Sequence, residues 1–269
     1  MLRPPAVAGR FYPADPTELA RQIKGFVAAA ASDERKRAQA CLVPHAGYMY
    51  SGAVAGSVFA ALDFPRRIII LGVRHFPRGQ PLAIISDGAW QTPLGTAPID
   101  AALAMQLRQA CPLLREDAIA HSTEHSLEVQ LPFLQVLAGQ FAFVPVALGT
   151  VRYDHFCAVG EAVAQVIAAQ NEPVLILASS DMNHYENDET TRTKDHKAID
   201  QLLKLDPRGL YDTVRREEIS MCGLGPAVAM LTAALRLGAS KAELVKYATS
   251  GDVNDDRTEV VGYAGMIVR

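Results

Sequence analysis

Short apolar runs alternate with segments of helical periodicity nearly to the end of this chain, and this alternation restricts the possible folds more than any other feature. The runs at 68–71 and 174–177 contain only isoleucine, leucine and valine, as expected of strands covered on both faces. Strands that alternate with helices usually pair in parallel. The pattern therefore predicts an α/β fold in which a central, largely parallel sheet is covered by helices on both faces.

Individual strands and helices can be delimited from the same pattern. The predicted strands are 40–44, 67–72, 82–86, 141–148, 173–179, 242–248 and 260–268. The predicted helices are 16–31, 52–62, 100–110, 126–138, 154–169, 190–204, 207–216 and 225–237. No Pro/Gly/Ser-rich linker, repeat or low-complexity segment divides the 269 residues. We therefore expect a single domain over residues 1–269.

Composition excludes several classes of function. Hydrophobic residues make up 49% of the chain, enough for a real core, and the net charge of -3 gives no basic surface for nucleic acid. No apolar run approaches the roughly 20 residues that a membrane span needs, and residues 1–6 lack the apolar stretch of a secretory signal. The four cysteines show no CxxC pairing, which argues against a zinc ribbon or a disulfide framework. We expect a cytoplasmic protein without a nucleic-acid or membrane partner.

Three histidines follow predicted strands at the point where each strand ends. His45, His75 and His184 each come after a short apolar run and a break, and Cys222 precedes a predicted helix. The carboxyl ends of the strands in an open α/β sheet line a common crevice, so these side chains tend to converge. Imidazoles and a thiolate around one crevice predict a transition-metal site, with iron, copper or zinc as the candidates.

Two of these segments have a second interpretation. Asp181 and His184 are spaced to share one side of a helical turn, where the aspartate can fix the tautomer of the histidine for general-base or ligand chemistry. Asp181 can equally be a helix cap. Cys222 at a helix N-terminus is expected to favour the thiolate, or it is simply a buried cysteine.

A competing motif lies at 121–125, where His121, Glu124 and His125 fit the H-x-x-E-H pattern of zinc peptidases. Such short patterns arise easily by chance, and Pro132 limits how far a helix through the motif can run. We therefore rank a peptidase below the strand-end site, with His125 and Glu128 bordering the same crevice.

Taken together, the motifs resemble those of the Memo family, whose bacterial and archaeal members are labelled AmmeMemoRadiSam system protein B. The resemblance covers essentially the whole chain. Its motifs are Arg3-Pro4-Pro5-Ala6-Val7-Ala8-Gly9-Arg10-Phe11-Tyr12-Pro13, Pro44-His45-Ala46-Gly47-Tyr48, Glu124-His125-Ser126-Leu127-Glu128 with Leu131-Pro132, Ser179-Ser180-Asp181 with His184, Cys222-Gly223 and Val261-Gly262-Tyr263-Ala264.

The resemblance implies a fold similar to that of class III extradiol dioxygenases, which are non-haem iron enzymes. Carried over by position, it makes His45, His75 and Cys222 the metal ligands and His184 the catalytic base, with Asp181 beside it. Cys222 replaces a carboxylate of the dioxygenases, so extradiol activity does not follow automatically. The family further implies a radical S-adenosylmethionine enzyme as a partner, and it includes a protein reported to bind phosphotyrosine peptides.

One motif departs from the family pattern. The family usually shows Gly-Pro-x-His-His after the second strand, whereas this chain has Gly72-Val73-Arg74-His75-Phe76. The first histidine is kept as His75, and the second is replaced by Phe76. Any role that the second histidine has with substrate is therefore lost in this chain or falls to another residue.

These observations lead to one main hypothesis and two alternatives. The main hypothesis is a redox enzyme with a mononuclear Fe(II) or copper centre, zinc being possible, that acts on a small-molecule or peptide substrate. The candidates for the substrate pocket are Tyr48, Arg74 and His125. The first alternative is a non-catalytic module that binds a peptide or phosphopeptide in the same crevice, with Arg74 near the pocket, although an arginine is more often simply exposed to solvent. The second alternative is the zinc peptidase.

Overall fold

The computed structural model of the protein describes residues 1–30 and 35–269. Its strands are β1 (Leu2–Arg3), β2 (Ala40–Val43), β3 (Arg67–Val73), β4 (Leu82–Ile84), β5 (Ala89–Thr92), β6 (Gly95–Pro98), β7 (Arg115–Glu116), β8 (Ala142–Leu148), β9 (Val174–Ser179), β10 (His184–Glu186), β11 (Ala242–Thr249) and β12 (Val260–Val268).

The helices alternate with these strands through most of the chain. They are α1 (Pro16–Ala28), α2 (Tyr48–Ala60), α3 (Ala101–Ala110), α4 (Ala118–His121), α5 (Leu131–Leu137), α6 (Tyr153–Ala168), α7 (Asp188–Leu203), α8 (Pro207–Arg216), α9 (Leu224–Arg236) and α10 (Gly251–Asn254), with a 3₁₀ turn at Glu128–Gln130. Within the described residues, no helix combines the length and the apolarity that crossing a bilayer requires.

The main sheet has four parallel strands at its centre. They lie in the order β2-β9-β3-β8, with Ile69 of β3 opposite Ile176 of β9 on one side and Val144 of β8 on the other. Antiparallel strands flank this centre, with β12 beside β2 and β4 beside β8. The α/β fold is thus confirmed, and the sheet is mixed because its outer strands reverse direction. A separate small sheet has the order β1-β5-β6.

Some element boundaries differ from those expected from sequence. The predicted helix 126–138 is a 3₁₀ turn followed by α5, because Pro132 has no N–H and fits only the first turn of a helix. Helix α2 begins at Tyr48, four residues before the predicted start at 52. Helix α1 ends at Ala28, and position 31 of the predicted helix 16–31 lies outside the described residues. The short elements β1, β5, β6, β7, β10, α4 and α10 were not predicted.

Close packing at two glycines brings separate segments to the same edge of the sheet. A Cβ atom on Gly72, in β3, would lie 2.5 Å from the Leu127 side chain, so only glycine lets the 124–128 segment approach that strand. A Cβ atom on Gly223 would collide with Ser180, just after β9. The two contacts place Glu124 and Cys222 beside the carboxyl ends of β3 and β9.

Candidate metal centre

The carboxyl ends of β2, β3 and β9 open into a cleft of about 490 Å³. Its walls combine imidazole and carboxylate groups with an aromatic rim. The lining residues are Phe11, His45, Ala46, Gly47, Tyr50, His75, His125, Asp181, His184, Tyr185, Ser250, Asn254, Glu259, Val261 and Tyr263. The predicted convergence of strand-end histidines is therefore present in the structure.

His45, His75 and Cys222 are close enough to bind one ion together. One potential ligand atom from each lies within 4.8 Å of the other two. The Sγ atom of Cys222 is 3.3 Å from Nε2 of His45, and the imidazole centroids of His45 and His75 are 5.2 Å apart. Asp181, His184 and Cys222 form a second such group, which shares the sulfur with the first. The arrangement can accommodate a transition-metal ion.

The tautomer of His45 follows from its hydrogen bonds. The single hydroxyl hydrogen of Ser179 is donated to the carbonyl of Ser126 at 2.6 Å, and the same oxygen accepts from Nε2 of Gln130 at 2.9 Å. Nδ1 of His45 lies 2.9 Å from this hydroxyl oxygen and must therefore be the donor. The lone pair is then on Nε2, the atom nearest Cys222, which is the tautomer that a metal ligand needs.

A buried carboxylate orients His75. Nδ1 of His75 donates to Oε1 of Glu124 at 2.9 Å, and its backbone N–H donates to Oε2 at 2.6 Å. Oε1 also accepts from the backbone N–H groups of His125 and Ser126, both at 2.8 Å. Glu124 belongs to a third possible ligand group with His75 and His125. Because its oxygens are already committed to four donors, we assign Glu124 to orienting His75 rather than to binding the ion.

The electrostatics of Glu124 and His45 favour this arrangement. Burial raises the pKa of Glu124, but the hydrogen bond from His75 and the nearby imidazole charges outweigh it and bring the pKa to about 2. Burial, together with the charges of His125 and His75, holds the pKa of His45 well below its usual value. His45 is therefore neutral at physiological pH, as metal binding requires.

The environment of Cys222 corrects one expectation. Its position before α9 suggested a stabilised thiolate, but burial raises the pKa of the Cys222 thiol and the charge of Asp181 raises it further. The backbone N–H of Asp181 donates to the sulfur at 3.3 Å, which is too little to compensate. A thiol of this kind ionises when a cation binds it. Two imidazoles and one such sulfur suit iron, copper or zinc.

Asp181 and His184 lie close together as expected, with one potential ligand atom of each within 4.8 Å of the other, but they do not share a helical turn. Asp181 lies in the loop after β9, where Oδ1 accepts the backbone N–H groups of His45 at 2.7 Å and Ala46 at 3.3 Å. His184 begins β10, and its Nδ1 donates to the carbonyl of Ser220 at 3.0 Å. Asp181 therefore shapes the loop that carries His45, and Ser220 fixes the tautomer of His184.

Comparison with known proteins identifies the family. A family model described as Memo-like protein matches residues 3–267. The chain belongs to the Memo family. A MEMO1 family protein of Methanopyrus kandleri is 41% identical over 281 aligned residues, which cover 100% of this chain and 99% of the relative. A second Memo family relative, from Methanosarcina acetivorans, is 41% identical and covers 99% of both chains.

A solved structure shares the fold of this Memo family member. It is the crystal structure of an uncharacterized protein from Escherichia coli K12, which superposes with a TM-score of 0.54 over 86% of this chain and 100% of that chain. The two sequences are 15% identical, so the likeness concerns the fold alone.

Two of the three residues predicted for the substrate pocket of this Memo family member lie outside it. Tyr48 is buried in the core, where its hydroxyl donates to the carbonyl of Val129 at 2.6 Å. The guanidinium of Arg74 donates to the carbonyls of Arg78 at 3.2 Å and Gly79 at 3.3 Å, and the residue does not line the cleft. Only His125 lies in the wall as expected.

The aromatic rim of the cleft was not predicted. The rings of Phe11 and His125 pack with their centroids 4.6 Å apart and their planes tilted by 46°, and Tyr50 lies beside the loop of His45. Tyr185 is 74% exposed and has a φ of 63°, an uncommon backbone conformation for an aromatic residue. The sequence did offer one signal for Tyr185, since it directly follows the candidate site residue His184 and precedes the polar residues Glu186 and Asn187.

The H-x-x-E-H motif does not form a metal site. His121 ends α4 and is fully buried, with its ring 5.7 Å from that of Trp90. None of the ligand groups found in the described part of the chain includes His121. The motif is split between the core and the cleft because the chain leaves the helix after His121, and the peptidase interpretation is wrong.

Proposed function

We propose that this Memo family member is a metal-dependent oxidoreductase whose mononuclear iron or copper centre is held by His45, His75 and Cys222. The observation that carries the proposal is the 3.3 Å approach of the unprotonated Nε2 of His45 to the sulfur of Cys222, with His75 alongside. When bound there, iron or copper supplies redox chemistry that activates dioxygen or a small substrate. The sulfur favours softer ions than the carboxylate of extradiol dioxygenases does. Copper is therefore a candidate as well as iron, and zinc is a third.

His184 is the proposed general acid and base. Its Nδ1 proton is held by the carbonyl of Ser220, which leaves Nε2 to accept or release a proton of a molecule in the cleft. Asp181 keeps the loop of His45 in place. Phe11 and Tyr185 flank the cleft and offer aromatic surface to a bound substrate.

The cleft supports the enzyme better than the phosphopeptide module. No lysine or arginine is present among its described lining residues, while Asp181 and Glu259 are acidic. A phosphate group would meet only histidines as cationic partners, and burial lowers the pKa of His45. The family resemblance additionally motivates the proposal that a radical S-adenosylmethionine enzyme is a partner, which co-purification from the source organism tests.

Metal analysis with matched cysteine variants tests the centre. The protein is purified without a histidine tag under anaerobic conditions and compared with Cys222→Ser and with Cys157→Ser, which removes a partly buried thiol remote from the cleft. We expect near-stoichiometric iron or copper in the wild type and in Cys157→Ser, and at least a tenfold loss of affinity in Cys222→Ser. Equal metal content in Cys222→Ser would show that the ligand set is wrong.

The proposed role of His184 has its own test. His184→Ala should retain the metal but lose oxygen uptake with a panel of small phenolic and peptide substrates, and His155→Ala serves as the control on α6. If no metal binds after reconstitution with Fe(II), Cu(I) and Zn(II), the redox proposal fails. Titration of the metal-free protein with phosphopeptides then tests the alternative module.

A further inference from the structure

Tyr185 lies at the mouth of the histidine-lined cleft, where the lining side chains meet solvent, and its conformation costs stability. Its φ of 63° is in the left-handed region, which brings the Cβ atom of any residue other than glycine close to a carbonyl oxygen. Its side chain is 74% exposed and therefore gains little from burial. The tyrosine contributes little to the fold, and strain that is kept beside a site points to a functional role.

A β-bulge directs the side chain of Tyr185 into the wall of the cleft. His184 and Glu186 are opposite consecutive residues of β12, which leaves Tyr185 as the extra residue of β10. The backbone N–H of His184 donates to Oγ of Ser220 at 2.7 Å. The carboxylate of Glu186 pairs with Lys194 at 2.8 Å. Since both neighbours are held in this way, the bulge fixes where the aromatic ring is presented.

Glu259 supplies a carboxylate at the same corner of the cleft. It directly precedes the residue of β12 that is opposite Glu186, it lines the cleft, and it is exposed. The basic residue closest to it along the chain, Arg257, pairs instead with Asp188 at 2.6 Å and with Asp252 at 3.5 Å. The carboxylate of Glu259 is therefore available to a ligand that reaches the aromatic ring of Tyr185.

The rest of the lining suits a cation better than an anion. Phe11, Tyr50 and Tyr263 add three aromatic rings, and no lysine or arginine is among the described lining residues. Burial lowers the pKa of His45 and of His125, which favours the neutral form of both imidazoles. Aromatic ring faces attract cations, and a carboxylate beside them strengthens the attraction.

We propose that Tyr185 and Glu259 bind a positively charged nitrogen, an amine or ammonium group, at the mouth of the cleft. That this group belongs to the substrate of the metal centre rests on the proposed function. The binding itself requires only the ring and the carboxylate. The strained tyrosine is thus retained for ligand recognition, and the substrate class is that of cationic amines rather than phosphorylated or acidic molecules.

Three ligands with the same aromatic ring test the preference for positive charge. Benzylamine is a cation at pH 7, benzyl alcohol is neutral and benzoate is an anion. Ligand-observed NMR titration measures their dissociation constants with the protein as purified and again after removal of its metal. We expect benzylamine to bind ~2–5-fold more tightly than benzyl alcohol, and benzoate to bind more weakly than either. Benzylamine binding no more tightly than benzyl alcohol would overturn the proposal.

The titration of metal-free protein separates this proposal from the metal centre. If the protein binds no metal but still prefers benzylamine, the redox function fails and the amine site remains. If metal binds and the preference is absent both with and without it, the centre remains and the amine site is wrong.

Variants of Tyr185 and Glu259 assign the binding to these residues. Tyr185→Gly should weaken benzylamine binding ~2–5-fold without lowering the melting temperature, because the strain is removed together with the ring. Glu218→Gly is its control, since Glu218 is exposed with a φ of 52° and does not line the cleft. Glu259→Gln should abolish the preference for benzylamine over benzyl alcohol. Its control is Glu172→Gln, an exposed carboxylate near the opposite end of β9 from the cleft.

Two results with these variants would contradict the assignment. A lower melting temperature of Tyr185→Gly with unchanged benzylamine affinity would show that the tyrosine serves packing. An unchanged preference in Glu259→Gln, or an equal loss in Glu172→Gln, would show that this carboxylate is not the partner of the amine.

Discussion

Arg3 and Glu128 form an ion pair inside the protein, with Nη1 of the arginine 2.6 Å from Oε2 of the glutamate and side-chain exposures of 5% and 0%. The remaining donors of Arg3 reach the carbonyls of His121 and Glu124, each at 2.7 Å. Glu128 also accepts from the hydroxyl of Tyr12 at 2.6 Å. The N-terminal segment thus fixes the position of the chain that carries Glu124, which in turn orients His75.

Removal of the charge of Glu128 should destabilise the protein. Glu128→Gln leaves Arg3 buried without its counter-charge, a change that typically costs ~3–5 kcal/mol. Glu161→Gln breaks an exposed pair with Arg236 and should change the free energy of unfolding by less than ~1 kcal/mol. Urea unfolding followed by circular dichroism measures both. Equal unfolding midpoints of Glu128→Gln and wild type would contradict the buried pair.

Loss of the Ser179 hydroxyl should weaken metal binding without unfolding the protein. In Ser179→Ala the Nδ1 atom of His45 has no acceptor, so the imidazole is no longer held in the tautomer with a free Nε2. Loss of such a partner typically reduces metal affinity ~10–100-fold. Ser57→Ala removes a hydroxyl that only donates to a carbonyl within α2 and serves as the control. Competition with a chelator measures the affinities, and unchanged affinity in Ser179→Ala would disprove the assigned tautomer.

Asp195 should make the protein less stable as the pH rises. Burial raises the pKa of Asp195 to about 6, against the hydrogen bonds from Tyr247 and Asn183. The folded state therefore binds this proton more tightly than the unfolded state, and the free energy of unfolding falls between pH ~4 and ~6 by roughly 2–3 kcal/mol. In Asp195→Asn this fall should be absent from unfolding curves measured across that range. If the free energy of unfolding of the variant fell with pH as it does in the wild type, Asp195 would be excluded as the source of the fall.

Asp188 should have the opposite dependence. Its hydrogen bond from Arg192 outweighs burial and, with those from Thr249 and Arg257, brings the pKa of Asp188 to about 2. The folded state then releases this proton more readily than the unfolded state, so the stabilisation is complete above pH ~4 and is lost as the pH falls towards 2. Thermal melts of Asp188→Asn should lie below those of the wild type at pH 6 and converge with them near pH 2. If the melting temperatures of Asp188→Asn and the wild type differed by the same amount at all pH values, the loss of stability would come from packing and not from the charge.

The sequence was sufficient to locate the centre of the fold and most of the candidate ligands. The strands β2, β3, β8 and β9 are apolar at nearly every position, and burial on both faces leaves that pattern in the sequence. Because parallel strands end at one edge of a sheet, the residue order alone places His45 and His75 together.

The supporting contacts were not predictable in the same way. The hydrogen bond from Ser179 to Ser126 joins residues 53 positions apart along the chain, and that from Arg3 to Glu128 joins residues 125 positions apart. Hydrogen bonds between such distant segments produce no local periodicity. The roles of Asp181 and Ser220 were missed for the same reason, since the groups that they hold in place, the backbone of His45 and the ring of His184, are distant from them along the chain.

The sulfur of Cys222 and the imidazole of His45 are 177 positions apart along the chain and meet only when the sheet and α9 are both in place. A molecule in which either segment is unfolded does not bring this pair together, so an ion held at the proposed centre would bind only the folded form. Once the free metal concentration exceeds the dissociation constant, each further tenfold increase would add ~1.4 kcal/mol to the free energy of unfolding. Under the proposed function, cellular metal supply would therefore also stabilise the folded copies of the protein.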